Sequence, residues 1–265
     1  MPQIELVGQG AHAYYVDQGQ GPPTVFLHGN PDSAEVFAKV MDSLGECRCL
    51  APDLPGFGRT STRADYLYTL DHMADFVPDL LSTLGVREPV HLVVHDAGGF
   101  FGLATVAKHP QLIRRLIVLN TCFFSDYRYH FWARVCRTPL LGELGMAALH
   151  PALYRWEMRR GSAAIPESYV QQSYRRITPR MKQQVLRMYR ALPPECFSGW
   201  EDRLLAATAK IPTLVLWGDR DPYIPQRYAE RFGGRVCHYQ AGHWLQIEQP
   251  SAVADQLRAF LRETP

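Results

Sequence analysis

The chain has 265 residues, 46% of them hydrophobic, and a formal net charge of +2. This length fits one large α/β domain with an insertion, and the small charge gives no support to nucleic-acid binding. No apolar run approaches the length of a membrane span, and the N-terminus lacks the basic and apolar regions of a signal peptide. We therefore expect a cytoplasmic protein whose six scattered cysteines are reduced and buried.

Eight short apolar runs, bounded by turn-forming residues, predict β-strands. In chain order these runs are Ile4 to Val7, Ala13 to Val16, Thr24 to Leu27, Arg48 to Ala51, Val90 to Val94, Leu112 to Leu119, Thr213 to Trp217 and Arg235 to Tyr239. Helical patterns alternate with them over Ala34 to Leu44, Thr69 to Leu84, Phe101 to Lys108, Pro225 to Phe232 and Ser251 to Leu261. Thr69 and Ser251 are predicted N-caps, and Pro78 is predicted to bend its helix. The alternation predicts an α/β fold with a mostly parallel eight-stranded sheet and helices on both faces.

The alternation stops between residues 122 and 200. This segment has helical stretches but no strand candidate, and it is rich in Arg, Tyr and Trp. We interpret it as a helical cap inserted between two strands of the sheet. The predicted division is an α/β core of residues 1–121 and 201–265, with the cap at residues 122–200.

One charged residue, Asp96, lies at a predicted corner between a strand and a helix. The strand Val90 to Val94 precedes it, and Gly98, Gly99 and the helix follow. This order is typical of a nucleophile elbow, in which a sharp turn lifts one side chain above the sheet. Asp also caps helices frequently, so a purely structural role is the alternative. The partners of Asp96 described below favour the nucleophile.

A carboxylate at the elbow suits a different electrophile from that of a serine. A serine attacks carbonyl carbon and leaves an ester. A carboxylate that attacked a carbonyl would form a labile anhydride, whereas at saturated carbon it forms an alkyl ester that water can cleave later. Asp96 is therefore suited to an sp³ carbon with a leaving group, such as an alkyl halide or an epoxide.

A hydrolytic site of this kind also needs a base, an acid that orients the base, and an oxyanion hole. The candidate base is His243, in the loop after the last predicted strand. The candidate acid is Asp221, after the preceding strand, ahead of Asp219 in the same loop. The order nucleophile, acid, histidine matches the elbow architecture. The main-chain N–H groups of Asn30 and Ala97 are the candidates for binding the oxyanion or the leaving group.

On these residues the chain resembles the α/β-hydrolase superfamily along nearly its whole length. Three motifs look like those of its haloalkane dehalogenase and epoxide hydrolase branch: HGNP at residues 28–31, VHDAG at 94–98 and GHWLQIE at 242–248. The resemblance implies that Asp96 displaces a leaving group and forms an ester. It implies that His243, held by Asp221, then activates the water that cleaves the ester. It implies no metal and no organic cofactor.

The two subfamilies differ in how they treat the leaving group. Dehalogenases bind a halide with N–H donors. Asn30 stands at the position of one such donor, but Ala97 replaces the Trp that usually follows the nucleophile. Epoxide hydrolases instead use cap tyrosines to protonate the ring oxygen. The cap candidates for these donors are Trp132, Trp156 and Trp200, and Tyr154, Tyr169, Tyr174 and Tyr189.

The sequence thus predicts a hydrolase that cleaves a carbon–halogen bond of a small apolar molecule, with water as the second substrate. The alternative within the same class is an epoxide hydrolase that produces a diol. An alternative of another class is a non-catalytic protein that keeps the fold and binds a ligand in the cavity. The complete set of Asp96, Asp221 and His243 argues against that alternative. We expect a monomer or a homodimer without nucleic-acid or membrane partners.

Overall fold

A mixed β-sheet forms the centre of the protein in this computed structural model, which describes residues 2–263. Its strands are β1 (Gln3–Leu6), β2 (Ala11–Gln18), β3 (Pro23–Leu27), β4 (Arg48–Pro52), β5 (Ser61–Thr62), β6 (Val90–His95), β7 (Ile113–Leu119), β8 (Thr213–Gly218) and β9 (Arg235–Tyr239). Eight of them lie side by side in the order β1-β2-β4-β3-β6-β7-β8-β9. All pairs from β4 to β9 in that order are parallel, while β1, β2 and β4 pair antiparallel. The predicted mostly parallel sheet of eight strands is confirmed, and the two-residue β5 adds a short pairing to β2.

Twelve α-helices surround this sheet within the described residues. They are α1 (Ala38–Asp42), α2 (Leu70–Ala74), α3 (Phe76–Thr83), α4 (Gly98–Lys108), α5 (Phe131–Arg137), α6 (Leu141–Ala148), α7 (Pro151–Gly161), α8 (Glu167–Tyr174), α9 (Pro179–Ala191), α10 (Trp200–Thr208), α11 (Leu245–Glu248) and α12 (Pro250–Arg262). One group packs around α4, which contacts α2, α3 and α10, while α1 packs against α12. None of these helices combines the length and the apolar character that crossing a bilayer requires.

The first residue of α4 lies very close to the end of β3, the strand that pairs with the central strand β6. Every residue of β6 is buried, as expected of a strand covered on both faces. A Cβ atom at Gly98 would lie 2.3 Å from the Leu27 carbonyl oxygen, which belongs to β3. Only glycine fits this position without a shift of the backbone, so the small residues after Asp96 fix where α4 begins.

The structure confirms some local predictions and corrects others. The single helix predicted over 69–84 is two helices that break at Asp75, close to the bend predicted at Pro78. In a continuous helix, the ring of Pro78 would clash with the carbonyl four residues earlier, at the end of α2. The predicted N-cap of that helix, Thr69, does accept a hydrogen bond from the His72 N–H. The predicted cap Ser251 is wrong, since α12 starts at Pro250, a residue that the first helical position tolerates. The helix predicted over 225–232 is a 3-10 helix, Gln226–Phe232.

All six cysteines are free, and four of them are buried, while Cys196 and Cys237 are partly exposed.

The segment between β7 and β8 lies over the carboxyl ends of the strands. It contributes α5 to α9, of which α5 packs against α6 and α9, and α7 against α8. The next helix, α10, instead packs against α4. We refer to residues 122–200 as the cap, and the division into core and cap stays a prediction. In open parallel sheets, ligand sites lie at the carboxyl ends of the strands, and a cap above them encloses that edge.

Candidate active site

Asp96 follows β6 directly, on a backbone that an L-residue seldom adopts, with a φ of 48°. Its N–H donates to the Asn120 carbonyl at 3.2 Å, and its carbonyl accepts from Thr121 Oγ1 at 2.7 Å. Asn120, at the end of the neighbouring strand, also has a positive φ, of 26°. Two such residues on adjacent strand ends indicate the local strain that functional sites often hold. The turn brings the Asp96 side chain to the lining of a cavity beneath the cap.

Asp96, His243 and Asp221 meet at this edge of the sheet. The distance between His243 Nε2 and Asp96 Oδ2 is 3.5 Å, and His243 Nδ1 lies 2.7 Å from Asp221 Oδ2. The His243 and Asp221 side chains are 2% and 1% exposed, while Asp96 is 17% exposed. The carboxylate that faces His243 Nε2 is therefore the one that a ligand can reach. The arrangement is that of a nucleophile, a base and an acid that orients the base.

The two carboxylates set the charge of the imidazole. Burial by itself lowers the pKa of His243, but the negative charges and hydrogen bonds of Asp221 and Asp96 raise it to about 10. Burial likewise raises the pKa of Asp96, but the hydrogen bond and charge of His243 lower it well below its usual range. The two acidic side chains therefore favour the charged, imidazolium form of His243 in the free site. Loss of the charge on Asp96 would remove one of these influences and lower the pKa of His243.

Besides its contact with His243, the Asp221 carboxylate accepts hydrogen bonds from three residues. Its Oδ1 accepts the N–H groups of Tyr223 at 2.7 Å and Ile224 at 3.2 Å. Its Oδ2 accepts from Asn120 Nδ2 at 2.9 Å, and the same Asn120 side chain accepts the Gly218 N–H at 2.9 Å. Asn120 thus ties the acid to the end of β8, a role that its sequence position alone did not reveal. The competing acid, Asp219, instead lies 2.7 Å from His238 Nδ1.

Of the two predicted oxyanion or leaving-group residues, Asn30 contacts the nucleophile, and Ala97 follows the nucleophile in the chain. The N–H of Asn30 donates to Asp96 Oδ1 at 2.7 Å, and the residue lines the cavity. Ala97 is 1% exposed and stands at the start of α4. The methyl group of Ala97 leaves this position without a side-chain donor.

The cavity has a volume of about 140 Å³, and apolar cap residues form most of its wall. Met146, Leu149, Ile177, Met181 and Val185 lie on that wall, and Asp96 and His243 lie at its floor. An engineered cavity of about 150 Å³ binds benzene. The space therefore fits a compact apolar molecule of about that size. Among residues 2–263, no group of three or more His, Cys, Asp or Glu side chains is arranged to hold a metal ion.

Of the seven aromatic cap candidates, three line the cavity: Trp132, Tyr154 and Tyr189. Trp156 is 58% exposed, so this candidate does not reach the site. Tyr154 donates its hydroxyl to Ser173 at 2.9 Å, and Trp132 hydrogen-bonds to Glu157.

The other three candidates, Trp200, Tyr169 and Tyr174, are not among the residues that line the cavity. Tyr169 donates to Asp32, and Tyr174 donates to the Leu149 carbonyl.

Tyr189 is the cap tyrosine whose hydroxyl has no hydrogen-bond partner among the described residues. It lines the main cavity and also a second, water-sized space of about 20 Å³ beside Asp96. Burial, with the nearby charge of Asp96, raises its pKa well above the usual range. The phenol of Tyr189 therefore stays protonated and is free to donate.

His130 is a cavity residue that the sequence did not identify. It lines the same two spaces as Asp96 and Tyr189, and its Nδ1 is buried without a hydrogen-bond partner. Burial lowers its pKa to about 4, so the ring is neutral at pH 7. His130 has an extended backbone directly before α5 and lies outside every recognisable motif, so no pattern in the sequence marks it.

Replacing Asp221 with asparagine tests the charge of the imidazole. The amide lacks the negative charge that raises the pKa of His243, so the pH midpoint of ester hydrolysis is expected to move to lower pH. The rate at the plateau is expected to fall by about 10⁴-fold, because an amide also favours the wrong imidazole tautomer. Single-turnover hydrolysis measured across pH gives both quantities. Asp219→Asn is the matched control, and an unchanged midpoint in Asp221→Asn would contradict the assignment.

The sequence matches the family model described as the alpha/beta hydrolase fold over residues 22–250. A curated relative, the cis-3-alkyl-4-alkyloxetan-2-one decarboxylase of Shewanella oneidensis, is 29% identical and aligns over 98% of this chain and 88% of its own length. The haloalkane dehalogenase DbeA from Bradyrhizobium elkani superposes with a TM-score of 0.81 at 22% identity, over 98% of this chain and 96% of its own. A variant of a candidate epoxide hydrolase from Pseudomonas aeruginosa gives a TM-score of 0.79 at 21% identity, over 98% and 94%.

Proposed function

The chain belongs to the alpha/beta hydrolase fold family, and from that premise we propose an enzyme in which Asp96 attacks a saturated carbon atom and forms an ester that water then cleaves. The observation that carries this proposal is the trio of Asp96, His243 and Asp221. The carboxylate of Asp96, which a ligand can reach, faces the base, and the base contacts a buried acid. A serine or cysteine nucleophile is absent from the elbow, which argues against an ordinary esterase.

The first step forms the alkyl-enzyme ester. One oxygen of Asp96 attacks carbon, and the bond from that carbon to the leaving group breaks. The Asn30 N–H, 2.7 Å from Asp96 Oδ1, orients the carboxylate for attack. The apolar wall of the cavity removes water from the carboxylate and from the substrate.

The second step cleaves the ester at the carboxyl carbon of Asp96. Esterification neutralises Asp96, so the pKa of His243 falls, and the proton that the imidazolium loses balances the one that the leaving group takes. Neutral His243 then removes a proton from water, and the oxygen of that water adds to the ester carbonyl. The N–H of Asn30 is placed to stabilise the oxyanion that forms there. The bond between the carboxyl carbon of Asp96 and the substrate oxygen breaks, and the alcohol departs with the proton from His243. The second proton of the water, left on the Asp96 carboxyl group, passes to His243 and restores the starting state.

We favour an oxygen leaving group, as in an epoxide that opens to a diol. Tyr189 offers a protonated, unpartnered hydroxyl beside Asp96. His130 is neutral, and since buried N–H groups rarely stay unpaired, we assign its proton to Nε2 rather than to the unpartnered Nδ1. Both residues line the water-sized space next to the nucleophile, and both are placed to donate to an alkoxide that develops there. The relative from Shewanella oneidensis is also named for a strained oxygen ring, an oxetan-2-one.

Cleavage of a carbon–halogen bond is the second candidate. Asn30 lines the cavity next to Asp96, where dehalogenases of this branch hold a halide donor. The absence of an indole at Ala97, and the engagement of Trp132 with Glu157, count against it.

The variant Tyr189→Phe separates the two leaving groups. We expect the rate of opening of hexene oxide to fall by about a hundredfold, because the alkoxide loses a proton donor. The rate with bromohexane is expected to change little, since bromide needs no proton. Stopped assays with product analysis measure both. Tyr174→Phe removes a cap hydroxyl outside the cavity and is the control. Equal losses with both substrates in Tyr189→Phe would refute the role given to this hydroxyl.

A further inference from the structure

The loop that carries His243 is held by the cap as well as by the core. The His243 N–H donates to the Gly161 carbonyl at 2.8 Å, and the next N–H, that of Trp244, donates to Ser162 Oγ at 2.9 Å. Gly161 is the last residue of α7, and Ser162 follows it. Two consecutive amide groups at the candidate base are therefore satisfied by the end of one cap helix.

The cap turn and the loop pack backbone against backbone. A Cβ atom at Gly242 would lie 2.1 Å from the Gly161 oxygen and 2.8 Å from Ser162 Cα. Ser162 is 1% exposed, so water does not replace its hydroxyl. The position of the His243 main chain thus depends on where the end of α7 lies.

The indole of Trp244 is fixed independently. Its Nε1 donates to Asp32 Oδ2 at 2.7 Å, and Asp32 also accepts from Tyr169 of α8 at 2.5 Å. Asp32 is 3% exposed and lies in the loop after β3. Trp244, the residue after His243, is therefore held at its amide by Ser162, at the end of α7. Its side chain is held by the Asp32 carboxylate, which also accepts a hydrogen bond from α8.

We propose that Ser162 is a positioning residue for His243, through which the cap sets the rate of ester hydrolysis. The inference rests on the two-step function proposed above. Loss of the Ser162 hydroxyl leaves the buried Trp244 N–H unpaired, and the loop shifts to relieve it. Such a shift moves His243 Nδ1 from Asp221 and Nε2 from the place of the water.

The two chemical steps respond differently to such a shift. Ester formation uses the carboxylate of Asp96, which the turn after β6 and the Asn30 N–H hold without help from α7. Ester hydrolysis needs His243 aligned with both water and Asp221, so it is the step that depends on the loop. A merely structural role for Ser162 would lower stability or slow both steps together.

Rapid-mixing experiments on the full chain separate the steps. With hexene oxide in a single turnover, Ser162→Ala is expected to hydrolyse the ester about tenfold more slowly, while ester formation stays within about twofold of the wild type. Intact-protein mass should show the ester accumulating in this variant. Ser173→Ala, which alters another buried serine of the cap, is the matched control and should keep the wild-type ratio of the two rates.

A second variant covers the case in which Ser162→Ala does not fold. Ser162→Cys keeps the shape with a weaker acceptor and is expected to give a ratio of rates between those of wild type and Ser162→Ala. Equal slowing of both steps, or the same ratio in Ser162→Ala and Ser173→Ala, would overturn the positioning role while leaving the two-step function intact. Turnover by the wild type that leaves no oxygen from water on the Asp96 carboxylate would overturn the two-step function itself.

Discussion

Replacing Asp96 with alanine is expected to lower the rate of substrate opening by at least about 10⁴-fold, since removal of a nucleophile costs an enzyme of this kind several orders of magnitude. The cavity and its donors remain, so binding of the substrate is expected to survive. Asp255→Ala, on the exposed face of α12, is the control for a loss of negative charge. Thermal unfolding of both variants checks that the fold is kept.

Turnover in water labelled with oxygen-18 tests directly whether Asp96 is the nucleophile. In the first turnover of the wild type, the oxygen from water is expected to enter the Asp96 carboxylate, because water adds to the ester carbonyl rather than to the substrate. The product of that turnover takes its new oxygen from Asp96. Mass spectrometry of the peptide that contains Asp96 measures the label. Label found in the first product and not in the peptide would mean direct attack by water, and Asp96 would not be a nucleophile.

The variant His243→Ala is expected to stop after the first step. Ester hydrolysis should fall by about 10⁴-fold, the upper end of what a general base contributes, while ester formation continues. The mass of the intact protein is then expected to rise by a whole epoxide with hexene oxide, and by an alkyl group alone with bromohexane. Fragmentation should locate the increment on Asp96.

His12→Ala is the control for this experiment, since His12 is an exposed residue of β2. Fast turnover without an adduct in His243→Ala would contradict the assigned base. No adduct and no turnover with either compound, in the wild type or the variant, would favour the non-catalytic, ligand-binding alternative.

The strands and the trio were predictable because each carries a local signal. Buried parallel strands such as β6 and β8 are continuous apolar runs between turn residues, and that pattern depends only on neighbours in the chain. Asp96 and Asp221 follow such strands, and His243 follows the less buried edge strand β9, so parallel pairing brings the three residues to one edge of the sheet. Local signals also explain the wrong N-cap at Ser251. Serine is favoured at the N-cap and proline at the first helical position, and in this chain Pro250 precedes Ser251 and begins the helix.

The cap was not predictable at the level of contacts. The sequence offered seven aromatic candidates, and only the packing of α5 to α9 separates Tyr189, which reaches the cavity, from Trp156, which lies at the surface. His130 and Ser162 carry no motif, because their roles arise from contacts with residues that are distant in the chain. Helical periodicity predicts which face of a helix is buried, but it does not predict which element that face packs against.

The position of the cap in the chain also has a consequence for biosynthesis. β7 pairs with β8, yet the whole segment from residue 120 to residue 212 is made between them. At roughly 5–20 residues per second, β7 emerges on the order of ten seconds before its partner and presents an open edge of unpaired amides. The cap helices made in that interval are too short to be stable alone, since α5 has 7 residues and α9 has 13, so they gain stability when they pack together. The nascent chain is therefore open to edge-to-edge association at β7 until β8 is made and pairs with it.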